Sequence, residues 1–239
     1  MKNNLTFLAL CFTMVLNAQW INETSCSKKA SLIANSAIEY AMNLEHMAAF
    51  GAANSALIID EDCGCAKLIL AAVSSSNKNW GSRSKKLKAI NTTKLTPEEK
   101  GWYQYLSASS EDREAVSKSL AIKFPNSALM NYLGTSPQDF NSFKVFAEKF
   151  PSHASSAYNM ISYGYMREDF GKKDTANAMK YVKMSQDMHD GPNAHDSMAE
   201  HYAANGDYEN ALKEALKAVD YASFGSPYMK TAQLYYAKK

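Results

Sequence analysis

Between Pro192 and Ala218 the chain reads PNAHDSMAEHYAANGDYENALKEALKA, and the spacing of its small and aromatic residues constrains the local fold to two helices joined by a tight turn. His195, Met198, Ala199 and Tyr202 share one face of a helix, and Ala211, Ala215 and Ala218 share one face of the next. Asn205-Gly206-Asp207-Tyr208 separates them, and Gly206 can take the positive φ that ends the first helix at no steric cost. A single helical hairpin cannot bury its apolar stripe alone, so adjoining sequence must supply further hairpins.

The upstream segment repeats the logic. In SSAYNMISYGYMREDFGKKDTANAMKYVKM, Tyr158, Ile161, Ser162 and Tyr165 repeat the first-helix spacing, while Ala178 and Val182 occupy the places of Ala211 and Ala215. Tyr202 to Ala211 spans nine positions but Tyr165 to Ala178 spans thirteen, so the earlier hairpin carries a longer, protruding turn around Gly171. Farther upstream a junction signal persists at 53–66, 115–128 and 143–154, an Ala-containing helix end followed by an acidic or Phe-Pro step. Pro125 and Pro151 each end one helix and can open the next. Thr96-Pro97-Glu98-Glu99 and Ser136-Pro137-Gln138-Asp139 both read as capped helix starts, with the strict capping box only at Glu99. The least legible stretch is 74–94. With 10 Gly and 6 Pro in 239 residues there are too few turn formers for a many-stranded β fold. The expectation is about twelve helices in antiparallel pairs from Ser27 onward.

These residues resemble the tetratricopeptide repeat, whose pattern is an aromatic, Leu-Gly and Tyr on the first helix and Ala and an aromatic on the second, over about 34 residues. His195 stands where that pattern has Trp, Met198-Ala199 where it has Leu-Gly, and Ala215 where it has the second aromatic. The chain also resembles the secreted tetratricopeptide proteins common in Bacteroidetes, in which an AYN-x-x-x-Y-x-YM helix precedes a PN-x-x-DS-x-AE-x-Y helix. Here these are Ala157-Tyr158-Asn159 to Tyr165-Met166, and Pro192-Asn193 with Asp196-Ser197 to Tyr202. The resemblance is strongest over 155–222 and looser back to about Ala41. It implies an all-α fold, an α-solenoid of antiparallel helix pairs over 20–239, irregular toward the N-terminus and capped by a helix at 227–238. It further implies a non-catalytic scaffold that binds a protein or peptide, with no cofactor.

Residues 1–19, MKNNLTFLALCFTMVLNAQ, join a positive Lys2 to an apolar run from Leu5 to Leu16 that is too short to span a bilayer. They read as a secretory signal cleaved after Ala18 or Gln19, placing the mature chain in the periplasm or outside the cell. Leu10 is too large for the position preceding a lipidated cysteine at Cys11. No later run approaches the ~20 apolar residues of a spanning helix, so no membrane insertion is expected after cleavage. The formal charge of +2 gives no general attraction to nucleic acid.

Cys26, Cys63 and Cys65 remain beyond that segment, and the secretory route permits a disulfide. In stacked helical pairs Cys26 and Cys63 lie at neighbouring helix starts, 37 residues apart. They are the favoured bridge, with Cys65 as the alternative partner of Cys26 and three free thiols as the competing state. The five His, at 46, 153, 189, 195 and 201, have no zinc-binding spacing, and no metal site is expected. Nucleophile-elbow, Walker and dinucleotide motifs are missing. Lys78, Arg83, Lys85, Lys86 and Lys88 form a basic run with Trp80 as its single aromatic, which reads as a solvated face rather than a nucleic-acid patch. Asp174-Thr175-Ala176 and Asp196-Ser197-Met198 resemble the short O-glycosylation sequences of secreted Bacteroidetes proteins.

In a solenoid of this type the first helix of each pair lines the binding groove. Asn159, Tyr163 and Arg167 recur every four residues beside the packed stripe, and Asn193, Asp196 and Glu200 occupy the equivalent face of the next repeat. This mixture of amide, aromatic and charge suits an extended peptide. The alternative is a glycan-binding or hydrolytic accessory protein of the envelope, for which Tyr163 and Trp102 would be the stacking platforms. Self-association is a further possibility open at this level.

Overall fold

Helix starts are where this sequence meets its backbone most directly. The computed structural model describes residues 19–222 and 227–239; the apolar leader at 1–18, with Cys11, lies outside the described residues. Among those described are thirteen α-helices: α1 (Lys28–Met42), α2 (His46–Ile59), α3 (Gly64–Val73), α4 (Arg83–Lys88), α5 (Pro97–Ser107), α6 (Arg113–Lys123), α7 (Ala128–Leu133), α8 (Asn141–Lys149), α9 (Ser155–Met166), α10 (Thr175–Met188), α11 (Pro192–Ala204), α12 (Tyr208–Tyr221) and α13 (Pro227–Lys238). Short 3-10 turns stand at Lys78–Trp80, Thr92–Lys94 and Pro151–His153. No strand occurs among the described residues, which form an α-solenoid of antiparallel helix pairs.

Thr96 closes the capping box. Its hydroxyl accepts from the Glu99 amide, and the Glu99 carboxylate accepts from the Thr96 amide at 2.9 Å. Asp174 and Asp207 cap α10 and α12 in the same way, each accepting from the amide three residues on. Gly206 takes φ 80°, ending α11 as its position requires. The Ser136-Pro137 start is corrected. Those residues form a turn closed by an isolated bridge between Ser136 and Asp139, and α8 begins at Asn141. The Ser136 hydroxyl accepts locally from the Gln138 amide, which competes with a helical start there. The long turn at Gly171 is exposed, but Phe170 within it folds back onto Phe140 and Tyr165.

The pairs α1–α2, α9–α10 and α11–α12 pack closely because alanines line their contacts. Ala30, Ala34, Ala37 and Ala41 of α1 are buried with Ala49, Ala53 and Ala56 of α2, and Ala199 of α11 with Ala211 and Ala215 of α12. One apolar cluster runs from Trp20 to Ile161, and a second joins α11 and α12 to Ala232 and Tyr235 of α13. The solenoid also returns on itself. Ser156 donates to the Met42 carbonyl at 2.7 Å, Ser155 Oγ lies 3.0 Å from Asn43 Oδ1, and His189 Nε2 lies 2.8 Å from Glu45 Oε1, 144 residues away in sequence.

A non-helical arm, residues 20–26, threads between the early pairs. Trp20 is buried, its indole N–H donating to Glu39 and its ring packed on Tyr132, Phe146 and His153. The amides of Asn22 and Glu23 donate to Glu98 at 2.7 and 3.1 Å, and the amide and hydroxyl of Ser25 reach Glu99 Oε1 at 3.0 and 3.1 Å. Leu129 N–H donates to the Trp20 carbonyl, and Gly64 N–H donates to Ser25 Oγ. Cys26 is bonded to Cys63, and Cys65 is a buried free thiol. A crosslink of this span stabilises by roughly 3 to 4 kcal/mol in the chain-entropy picture.

Glu99 is fully buried and accepts from three donors. Glu99→Ala should therefore lower the unfolding free energy by about 3–5 kcal/mol in urea titration, because those donors lose their charged partner. A loss below about 1 kcal/mol, the level of a surface substitution, would show that the arm is held without this carboxylate.

Candidate functional site

Because α10 runs antiparallel to both neighbours, α9 and α11 lie parallel, and their contacts are in register. Tyr163 OH donates to Glu200 Oε2 at 2.5 Å and lies 3.2 Å from Ser197 Oγ, while His201 Nε2 lies 2.9 Å from Ser162 Oγ. Partners are thus 34 to 39 positions apart. The same register sets Asn159 opposite Asp196, one helical turn before the Tyr163–Glu200 contact. Tyr228 and Tyr235 of α13 also lie close enough to feel the Asp196 charge.

This face is rich in acceptors. Asn159 Oδ1 and Asp196 Oδ1 are both buried with no hydrogen-bond donor among the described residues. Burial, reinforced by the Glu200 charge, raises the Asp196 carboxyl to about 6. Burial, then the Glu200 charge, pushes the Tyr163 phenol well above its usual range. Burial and the carboxylates of Asp196 and Glu45 raise Tyr228 to about 12, and burial with Glu200 and Asp196 does the same to Tyr235.

The other residues singled out from sequence fall in different places. Asn193 is half-buried in the first turn of α11. Arg167 lies just past the end of α9, its guanidinium 3.6 Å from Asp169 and over the Phe140 ring, so it does not continue the Asn159–Tyr163 line. Trp102 is buried and offers no stacking platform. Thr175 opens α10 behind its Asp174 cap, whereas Ser197 is buried against Tyr163. In the basic run, Trp80 stacks on Phe50 and Lys86 stands over the same ring. Among the described residues no group of His, Cys, Asp and Glu is arranged to hold a metal ion.

One cluster was not visible in the sequence. Buried His195 stands between Asp190 Oδ1 at 2.8 Å and Glu214 Oε2 at 2.7 Å, with the Tyr221 ring stacked on it and Tyr221 OH donating to Asp190. Lys217 donates to the second Glu214 oxygen at 2.9 Å. The Tyr221 hydrogen bond holds Asp190 below its usual range. For Glu214, burial acts upward, but the hydrogen bonds from Lys217 and His195 outweigh it and the net shift is downward. The network ties the α10–α11 turn to α11 and α12, and its members are too far apart in sequence for spacing to reveal it.

No protein-family model matches the sequence, and no curated protein matches it. Among solved structures, the crystal structure of a thermophilic TPR protein of Thermus thermophilus is similar at 15% identity, covering 87% of this chain and 98% of that chain with a TM-score of 0.37.

The His201–Ser162 contact has a pH signature. Ser162 donates its own hydrogen to the Asn159 carbonyl at 2.6 Å, so His201 must be the donor and carries its proton on Nε2. Burial lowers its pKa to about 4. The unfolded ring titrates near 6.5, so this contribution is intact above that pH and is lost as pH falls toward 4. The loss should be on the order of 2 kcal/mol by pH 5. His189 acts in the opposite sense, since its hydrogen bond to Glu45 raises its pKa and its contribution fades as pH rises. In urea titrations at pH 7 and pH 5, His201→Gln should lose less stability than wild type between the two pH values. An unchanged difference would mean that His201 is not buried in the neutral form.

Proposed function

We propose that this chain is a non-catalytic, extracytoplasmic interaction scaffold that binds an extended peptide along the face shared by α9, α11 and α13. The observation that carries the reading is the in-register acceptor set of Tyr163, Asp196 and Glu200, with Asn159 itself buried where α11 covers α9. Among the described residues Asp196 Oδ1 is buried without a donor, and neither Asp196 nor Glu200 has a Lys or Arg hydrogen-bond partner. An extended peptide supplies backbone N–H groups along its length, and a basic side chain supplies the charge that Asp196 and Glu200 lack. Tyr228 and Tyr235 add aromatic rings beside those carboxylates, where a cation is also favoured.

Export is supported by the charged-then-apolar leader and by the Cys26–Cys63 bridge, since disulfides persist in oxidising compartments. Among the described residues no helix is long and apolar enough to cross a membrane. The resemblance to secreted tetratricopeptide proteins points the same way, toward a protein or peptide partner.

Random-peptide display against the chain from Gln19 onward tests the reading. Wild type should enrich peptides containing Lys or Arg, and Glu200→Gln with Tyr163→Phe should weaken the best of them by about tenfold or more, the effect of losing a charge-assisted hydrogen bond. Affinity should rise between pH 5 and pH 7.5 as Asp196 ionises through about 6, with Glu200, Tyr163, Tyr228 and Tyr235 as the other titratable groups nearby. Equal enrichment by both proteins, or selection of acidic peptides, would sink the assignment.

A further inference from the structure

The turn between α1 and α2 holds a backbone conformation that its residue disfavours. Leu44 takes φ 62° just past the end of α1, where its amide donates to the Ala41 carbonyl and the Glu45 amide donates to the Tyr40 carbonyl. That pair of hydrogen bonds is the left-handed helix stop that glycine usually supplies. A leucine there is strained, and with 59% of its surface exposed its side chain does not offset the strain by burial. Such strain persists only where the surroundings hold the segment in place. The side chain that this turn delivers is Glu45.

Glu45 reaches across to the junction between α10 and α11. Its side chain is 9% exposed and its Oε1 lies 2.8 Å from His189 Nε2, while Glu39 Oε1 stands 3.9 Å from the other ring nitrogen. Gly191 makes room for this contact. Its φ of −143° is open to any residue, yet an added Cβ would lie 1.9 Å from Glu45 Oε1, so glycine is needed there for the carboxylate and not for the backbone. Among the described residues neither Glu39 nor Glu45 is paired with Lys or Arg, which leaves the imidazole to supply positive charge. The other titratable groups around it are Tyr40, whose ring it meets edge-on at 5.9 Å, Asp190 next in the chain, and Tyr228 of α13, which feels the Glu45 charge. The neighbouring ties, Ser156 to the Met42 carbonyl and Ser155 to Asn43, contain no ionisable group.

We propose that these two segments form a proton-operated clasp, closed when His189 is charged between Glu39 and Glu45 and released when it is neutral. Release frees the strained Leu44 turn, so residues 44–46 part from 189–191 while the serine ties keep α1 on α9. The clasp thereby sets whether the early and late repeats are joined at this seam. The Glu45 hydrogen bond raises the His189 pKa above 6.5 against the opposing effect of burial, and the Glu45, Glu39 and Asp190 charges add to it. With the folded value above the unfolded one, the contact is fully effective below pH 6.5 and weakens as pH rises through the folded value. The clasp does not depend on the peptide-binding reading.

Hydrogen exchange of the chain from Gln19 onward at about pH 6 and about pH 8.5, read amide by amide and divided by the intrinsic rate at each pH, is the test. The Glu45 amide should be less protected than amides within α5 and α12 at both pH values, as local opening requires, and its protection should fall about tenfold at the higher pH. His189→Gln keeps a donor for Glu45 but no charge, and should show the low value at both pH values. Gly191→Ala should do the same by displacing the Glu45 carboxylate. Leu44→Gly relieves the turn without touching the ring, so it should raise Glu45 protection severalfold and keep the pH response. A cooperative urea transition verifies that each variant folds. Glu45 protection that is equal at both pH values in wild type, or a pH response undiminished in His189→Gln, would overturn the proposal. So would Glu45 protection matching that of α5 and α12, which would mean that the seam opens only when the whole chain unfolds.

Discussion

The early half of this solenoid is organised around two adjacent buried carboxylates, Glu98 and Glu99, at the N-terminus of α5. Each would be costly in the interior without hydrogen-bond donors. Donors arrive from two sources: the helix's own capping box, and the backbone of an arm whose peptide groups would otherwise be buried without helix or sheet partners. The arm and the carboxylates thus satisfy one another. The helix N-terminus adds its partial positive charge, which favours ionised acids in that first turn. The arm carries Trp20 into the apolar cluster, and the Cys26–Cys63 bond anchors its other end.

The later half has a different organisation. There, alanine contacts let α9 to α12 pack closely, and polar residues on neighbouring helices meet in register: Ser162 with His201, Tyr163 with Glu200, His195 with Glu214. The return contacts at Asn43, Glu45 and Met42 then join the two halves across more than a hundred residues. A solenoid normally has only nearest-neighbour contacts. These extra ties couple the turn before α2 to the helices that form the proposed peptide face, so the two halves share stability.

Local features were legible wherever a backbone rule acts within a few residues. The Thr96 capping box, the Gly206 stop, the hairpins at 155–188 and 192–221 and the helix from Pro227 are all set by side chains close to the backbone they control. The start at Ser136 was misread because Ser-Pro followed by an acid serves a turn as well as a helix, and Phe140 favours a position where its ring packs on Phe143 and Phe170. Asn159 is buried, though its spacing places it beside the packed stripe, because α9 is covered by α11 as well as by α10.

By itself the sequence determined the helical class, the pairing of consecutive helices and their caps, because helical period and turn chemistry operate over distances of about four residues or fewer. Tertiary structure alone decided that Trp20 and Ile21 are buried in the core, that His195 sits between two carboxylates and that Arg167 leaves the line of Asn159 and Tyr163. Each of these depends on which groups meet across tens of residues. Periodicity names the face of a helix, whereas the neighbour on that face is selected by packing and by the need of every buried polar group for a partner.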